Sequence, residues 1–236
     1  MGTPSFLDLN GYGHLLVEGA MMTIVVALIA MFIALCLGMA AALAKLSGHT
    51  WLRRLGGAYT VIIRGIPELV LMMVVYYGGT VLLQDLLAWA GDDSRVDINA
   101  FFAGSLVVGF VYGAYATEIF RTAFMAVPQG QIEAARGCGM VPRQIFFRIR
   151  LPQAWRFALP GLGNLWLTLL KATSITSIIG LTELARQADL VKSATQRPFV
   201  TFLIACLLYL AMTAVSDLAL RRFAARAAAG FQRQDG

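Results

Sequence analysis

Charge is scarce in this sequence. Of 236 residues only 14% are Asp, Glu, Lys or Arg and 58% are hydrophobic, whereas an ordinary soluble domain runs near 25% charged and about 45–50% apolar. A water-soluble fold of this length could not hide so much apolar surface. Cysteine occurs three times, as Cys36, Cys138 and Cys206, and histidine twice, as His14 and His49. An odd cysteine count without ligand spacing excludes a disulfide framework and a Cys/His metal centre. No G-x-x-x-x-G-K-[ST] run is present, so the chain lacks the phosphate-cradling loop that nucleotide hydrolysis requires. Asp8 and Glu18 are the only charges before the first apolar run. With no basic segment and no cleavage pattern there, that run is expected to remain in the mature protein. No Ser/Pro-rich linker and no repeat interrupts the chain, which reads as one transmembrane domain over residues 1–236. The missing repeat also argues against inverted-repeat secondary transporters.

What is there is long apolar segments. Ala20–Ala44, Leu69–Gln84, Ile98–Thr117 and Pro198–Ser216 carry no charge, and Phe157–Thr182 carries only Lys171 near its middle. A helix needs roughly 20 residues to cross a hydrocarbon core. The reading is an all-α membrane protein of about five transmembrane helices, at about 19–44, 60–84, 98–120, 155–180 and 198–220. Phe6, Leu7, Leu9, Tyr12 and Leu15 among polar neighbours read as a short interfacial segment before the first span.

The net charge of +6 is distributed by loop. Lys45, Arg53 and Arg54 follow the first span without an acid, while the next loop holds Asp85, Asp92, Asp93 and Asp97 against Arg95. The third loop carries Arg136, Arg143, Arg148, Arg150 and Arg156 against Glu133, and the tail carries Arg221, Arg222, Arg226 and Arg233 against Asp235. The positive-inside rule then places the first loop, the third loop and the C-terminus in the cytoplasm and the N-terminus outside. The mixed fourth loop, with Glu183, Arg186, Asp189, Lys192 and Arg197, falls outside. The basic balance is therefore topological, and nucleic acid is not an expected partner.

The third loop holds Glu133-Ala134-Ala135, then Gly139, then Ile149-Arg150-Leu151-Pro152. Two alanines let a helix lie against a groove in another protein, and Gly139 permits a sharp turn into a second short helix. Pro152 is expected to break the segment and start the fourth span. The spacing resembles the E-A-A-x(3)-G-x(9)-I-x-L-P loop of ABC importer permeases at every specified position. Arg64-Gly65-Ile66-Pro67 resembles the R-G-x-P motif of the polar amino acid importers in that family. Tyr112–Arg121 resembles their third-span motif, and Leu170-Lys171-Ala172-Thr173-Ser174 with Ile179–Leu184 extends the likeness over about residues 15–222. The subgroup most similar is the Q-type permease of histidine/lysine/arginine/ornithine and opine systems, on the acid after Pro67 and the Lys-Ala-Thr run.

The resemblance implies a type I importer permease fold in the bacterial inner membrane. It also implies a cytoplasmic coupling loop at about 128–152, built on Glu133, Ala134, Ala135, Gly139, Ile149, Leu151 and Pro152. Implied partners are a second permease, either identical or similar, two ATP-binding subunits that hold ATP and magnesium, and an extracytoplasmic amino acid binding protein. No cofactor is expected on this chain, and no catalytic residue.

Charges inside a span are costly and face a cavity or a partner. Glu68, Glu118 and Lys171 are thus candidates to line a substrate path, with Arg121, Thr173, Ser174 and Ser177 beside them. Internal pairing is the other reading, since Glu118 and Arg121 sit at i, i+3 and span hydroxyls commonly bond their own helix. An ATP-independent secondary transporter or channel remains the alternative function, with Glu118 and Lys171 as ion relays.

Overall fold

A computed structural model describes residue 9, residues 11–89 and residues 98–228, the last six as backbone only. Phe6, Leu7 and the acidic stretch at 92–97 lie outside the described residues, as do the side chains of Arg226, Arg233 and Asp235. Among the described residues the chain is helical, in the order α1 Gly13–Leu46, α2 Thr50–Gly65, α3 Glu68–Met73, α4 Gly79–Trp89, α5 Ala100–Met125, α6 Gln129–Gly137, α7 Pro142–Ile145, α8 Leu151–Ala172, α9 Leu184–Thr195 and α10 Pro198–Ala228. A π-helical turn, Val74–Gly78, joins α3 to α4, a second, Phe146–Arg150, joins α7 to α8, and a 3-10 stretch, Thr173–Ile179, continues α8.

Five of these helical runs are long and apolar enough to cross a membrane: Gly13–Leu46, Glu68–Trp89, Ala100–Met125, Pro142–Ile179 and Pro198–Arg222. Two differ from the hydropathy reading. The span expected at 60–84 is interrupted at Ile66-Pro67, and its first residues belong instead to α2. Pro67 offers no backbone N–H and keeps Ile66 out of the α region, so α2 ends and a new helix starts at Glu68. The span expected at 155–180 is preceded by a continuous helical run from Pro142, and α8 itself begins at Leu151 with Pro152 in its first turn, so Pro152 opens the span as expected without interrupting the run before it. The π-turn just before Pro152 supplies the wider backbone that a proline ring and its missing donor require.

Contacts divide the chain into two compact units. In the first, Leu16 and Ala20 of α1, Leu184, Ala188 and Val191 of α9, and Val200 and Ala205 of α10 form a buried cluster. In the second, the later half of α1 runs against α5 through small residues. A Cβ placed on Gly38 would stand 2.5 Å from the Ala116 methyl carbon, so only glycine permits that approach. Ala34, Ala42, Ala114 and Ala116 are fully buried along the same seam, a small-residue interface of the kind that brings membrane helices close.

Candidate functional site

The loop between α5 and α8 folds as a two-helix hairpin. At the end of α6 the Gly139 N–H donates to the Arg136 carbonyl at 2.9 Å, and the Met140 N–H to the Ala135 carbonyl at 3.1 Å. This is a Schellman closure, with Gly139 at φ +79°. The strained residue is thus the glycine whose spacing from Glu133 marks the motif. Pro142 then occupies the first turn of α7, where its missing donor costs nothing.

The hairpin is fastened from behind. Ile132 and Ile145 are buried. The Phe146 ring stacks on Phe124 of α5 at 5.9 Å, and Trp155 of α8 stacks on Phe120 at 5.9 Å. Gln153 donates to Gln131 at 2.5 Å, tying α8 to α6. Glu133 and Ala134 face outward, whereas Ala135 is buried, so one alanine of the pair packs inward instead of toward a partner. Ile149 and Leu151 are half-buried, and Pro152 is exposed on a continuous helix.

The charged residues of the spans divide into two groups. Glu118 on α5 accepts from Lys45 on α1 and from Arg121 one turn on, the latter at 3.3 Å. Lys45 also donates to Thr60 of α2 at 2.8 Å. The Lys45 ammonium therefore ties three helices together, α1 to Glu118 of α5 and to Thr60 of α2. Lys45, read from sequence as a boundary charge, is the main partner of Glu118. Elsewhere, α3, which opens with Glu68, packs against the 3-10 stretch Thr173–Ile179. There Thr173 donates to the Leu170 carbonyl and Ser174 to the Lys171 carbonyl, each at 2.8 Å, as hydroxyls in spans commonly do. The Lys171 side chain is exposed and Ser177 half-buried. A short α-helix that opens with a carboxylate thus meets the 3-10 stretch that follows Lys171.

Sequence reasoning missed a third polar cluster. Glu183, read as a loop charge, is fully buried and caps α9. It accepts from the Ala185 N–H at 2.9 Å and the Arg186 N–H at 3.0 Å, and from the Tyr209 hydroxyl of α10 at 2.9 Å. The Thr23 hydroxyl of α1 lies 3.4 Å away and accepts from the Leu184 N–H at 3.1 Å. An acid one residue before an amphipathic run was the available signal. Burial pushes the Glu183 carboxyl above its ordinary value near 4.5, against the hydrogen bonds that pull it down.

Glu183→Ala removes a helix cap and leaves the Tyr209 hydroxyl without its acceptor, which together cost about 2–4 kcal/mol and lower the melting temperature in detergent. The folded chain holds the Glu183 proton more tightly than the unfolded chain. The carboxyl's contribution is therefore complete below pH 4.5 and is lost as pH rises through the raised value. Melting temperature should fall over that window in the wild type, and this component of the slope should be absent in Glu183→Gln.

The family model described as binding-protein-dependent transport system inner membrane component matches residues 34–229. The chain belongs to this family of transport permeases. It is 43% identical over 208 residues to the nopaline transport system permease protein NocQ of Agrobacterium fabrum, covering 88% of each chain. It is 40% identical over 227 residues to the histidine/lysine/arginine/ornithine transport system permease protein HisQ of Salmonella typhimurium, covering 96% of this chain and 99% of that one. The crystal structure of an amino acid ABC transporter with histidines superposes with a TM-score of 0.81 at 34% identity, over 95% of this chain and all of the other. The MetNI methionine ABC transporter, at 19% identity and a TM-score of 0.70 over 90% of this chain, shares the fold.

Proposed function

We propose that this permease is the non-catalytic membrane subunit of an importer in the bacterial inner membrane. It carries polar, basic amino acids or opines delivered by an extracytoplasmic binding protein. Two ATP-binding subunits, holding ATP and magnesium, supply the energy, and a second permease, similar or identical, completes the path. The observation that carries the reading is the hairpin of α6 and α7. The motif spacing Glu133, Gly139, Pro152 coincides with an outward-facing helix, a left-handed glycine and a second helix stacked on α5. A folded two-helix projection fastened to α5 and α8 is suited to carry a partner's rigid-body movement into the membrane helices.

The substrate reading rests on the named relatives and on the meeting of α3 with residues 173–179. Glu68 offers a carboxylate to a cationic side chain, Lys171 an ammonium to a carboxylate, and Ser174 and Ser177 spare lone pairs to a zwitterion, whereas Thr173 is fully buried against its own helix and is out of reach of a substrate. The test is uptake of labelled arginine into proteoliposomes holding the copurified complex and its binding protein. ATP-dependent accumulation is expected, and accumulation without ATP would sink the reading in favour of a secondary transporter.

Orientation is part of the proposal, with the basic loops and the C-terminus in the cytoplasm. A reporter active only in the cytoplasm should work when fused after Arg222 and fail when inserted near Asp93. Activity at Asp93 would reverse the topology.

A further inference from the structure

A cavity of about 260 Å³ opens between α6, α7 and the π-turn that follows them. Gln129, Ile132 and Arg136 line it from one face of α6, with Ile145, Phe146 and Arg150 opposite. The two guanidinium groups meet no acidic side chain in this lining; Glu133 is not part of it. Arg150 is held over the Phe124 ring at 5.7 Å, and its Nε is buried without a hydrogen-bond partner among the described residues. That Nε is closed off from an incoming group, so the terminal nitrogens of the guanidinium are the donors Arg150 can offer. Arginine presents its donors as a planar fork matched to a carboxylate. The cavity is also small. Sites for organic ligands run about 300–1,000 Å³, so a single protruding side chain fits better than a metabolite.

We propose that this cavity is a socket for one Asp or Glu side chain of the ATP-binding partner, gripped by Arg136 and Arg150 with Gln129 at the rim. The proposal rests on the reading of the α6–α7 hairpin as the coupling contact, and adds the chemistry of the contact. Glu133 and Ala134 present the outer face of α6, and the socket captures an acid at the side of the hairpin. Apolar walls from Ile132, Ile145 and Phe146 shield the pair, so it responds less to salt than a surface pair does.

The test is the affinity of the ATP-binding subunit for the purified permease in lipid nanodiscs, with and without phosphatidylglycerol. Arg136→Gln and Arg150→Gln should each weaken binding at least tenfold, because a shielded charge pair loses one member. An acid-to-lysine substitution in the ATP-binding subunit should restore binding to Arg136→Glu. Arg136 is exposed, so its variants should fold, and they carry the test if Arg150→Gln does not assemble. Gly139→Arg serves as the control for the coupling reading. Unchanged affinity in both glutamine variants, with loss in Gly139→Arg, overturns the socket and leaves the coupling contact standing. Unchanged affinity in all three removes both. If the arginine variants lose only a dependence on phosphatidylglycerol, the cavity is a lipid headgroup site and the proposal falls.

Discussion

Gly139→Arg is expected to leave the permease in the membrane at near-normal amount and to reduce uptake to background. The left-handed backbone at Gly139, φ +79°, penalises any L-residue by about 1–2 kcal/mol. A Cβ built there meets nothing within 4 Å, so the substitution causes no clash inside this chain. The turn, anchored by the Gly139 and Met140 N–H groups and by Ile132 and Ile145 beneath, should therefore survive at modest cost. What changes is the outside of the hairpin, which gains a long cation at its tip. Gly139→Ala separates the two effects. It bears the same backbone cost with almost no added volume and should retain most transport, while Gly139→Arg loses both transport and copurification of the ATP-binding subunit. Normal uptake by Gly139→Arg would remove the hairpin from the coupling path. Equal loss in both variants would mean that backbone strain, not the docking surface, decides.

The same hairpin shows what the sequence could convey and where it stopped. Motif spacing located Gly139 because a conformational demand leaves a mark on one residue type. Hydropathy located the membrane-length helices because apolar runs of that length have few other uses. The break at Ile66-Pro67 was missed, whereas Pro152 opens α8 as expected but leaves the helical run before it unbroken. Hydropathy does not register backbone donors, and proline's effect depends on whether the turn before it can widen, as Phe146–Arg150 does. Side-chain partners were the least legible. Lys45 sits where a boundary cation would be expected, yet its stem lies against Gly56, where an added Cβ would come within 2.8 Å of it, and its ammonium reaches Thr60 and Glu118. Glu183 appeared among the mixed charges of a loop; its place before α9 signals the cap, but its burial comes from the approach of α1 and α10. Both depend on tertiary packing, which no local pattern encodes.

Glu118→Gln tests the consequence of that packing, and the expected result is a uniform loss of assembled permease, not a change in substrate choice. Glu118 accepts from Lys45 and Arg121 together, with side-chain exposures of 28%, 16% and 36% for Glu118, Lys45 and Arg121. Removing its charge leaves two cations facing each other in a partly buried site. Breaking such a pair costs about 3–5 kcal/mol when fully buried, and partial exposure moves the expectation to the lower end. That is a large share of the roughly 5–15 kcal/mol by which folded proteins are stable. Uptake of arginine and of glutamine should fall in the same proportion as the amount of complex. The double variant Lys45→Met with Glu118→Gln removes the more buried cation as well. It should recover most of the protein, since Arg121 is exposed enough to reach water. The competing reading, in which Glu118 selects a cationic substrate, makes a different forecast. Transport per complex would then drop for arginine and hold for glutamine, and the double variant would not restore it. Quantifying complex and initial uptake rates for both substrates in the wild type, the single variant and the double variant separates the two. A selective arginine defect that persists in the double variant would return Glu118 to the substrate path.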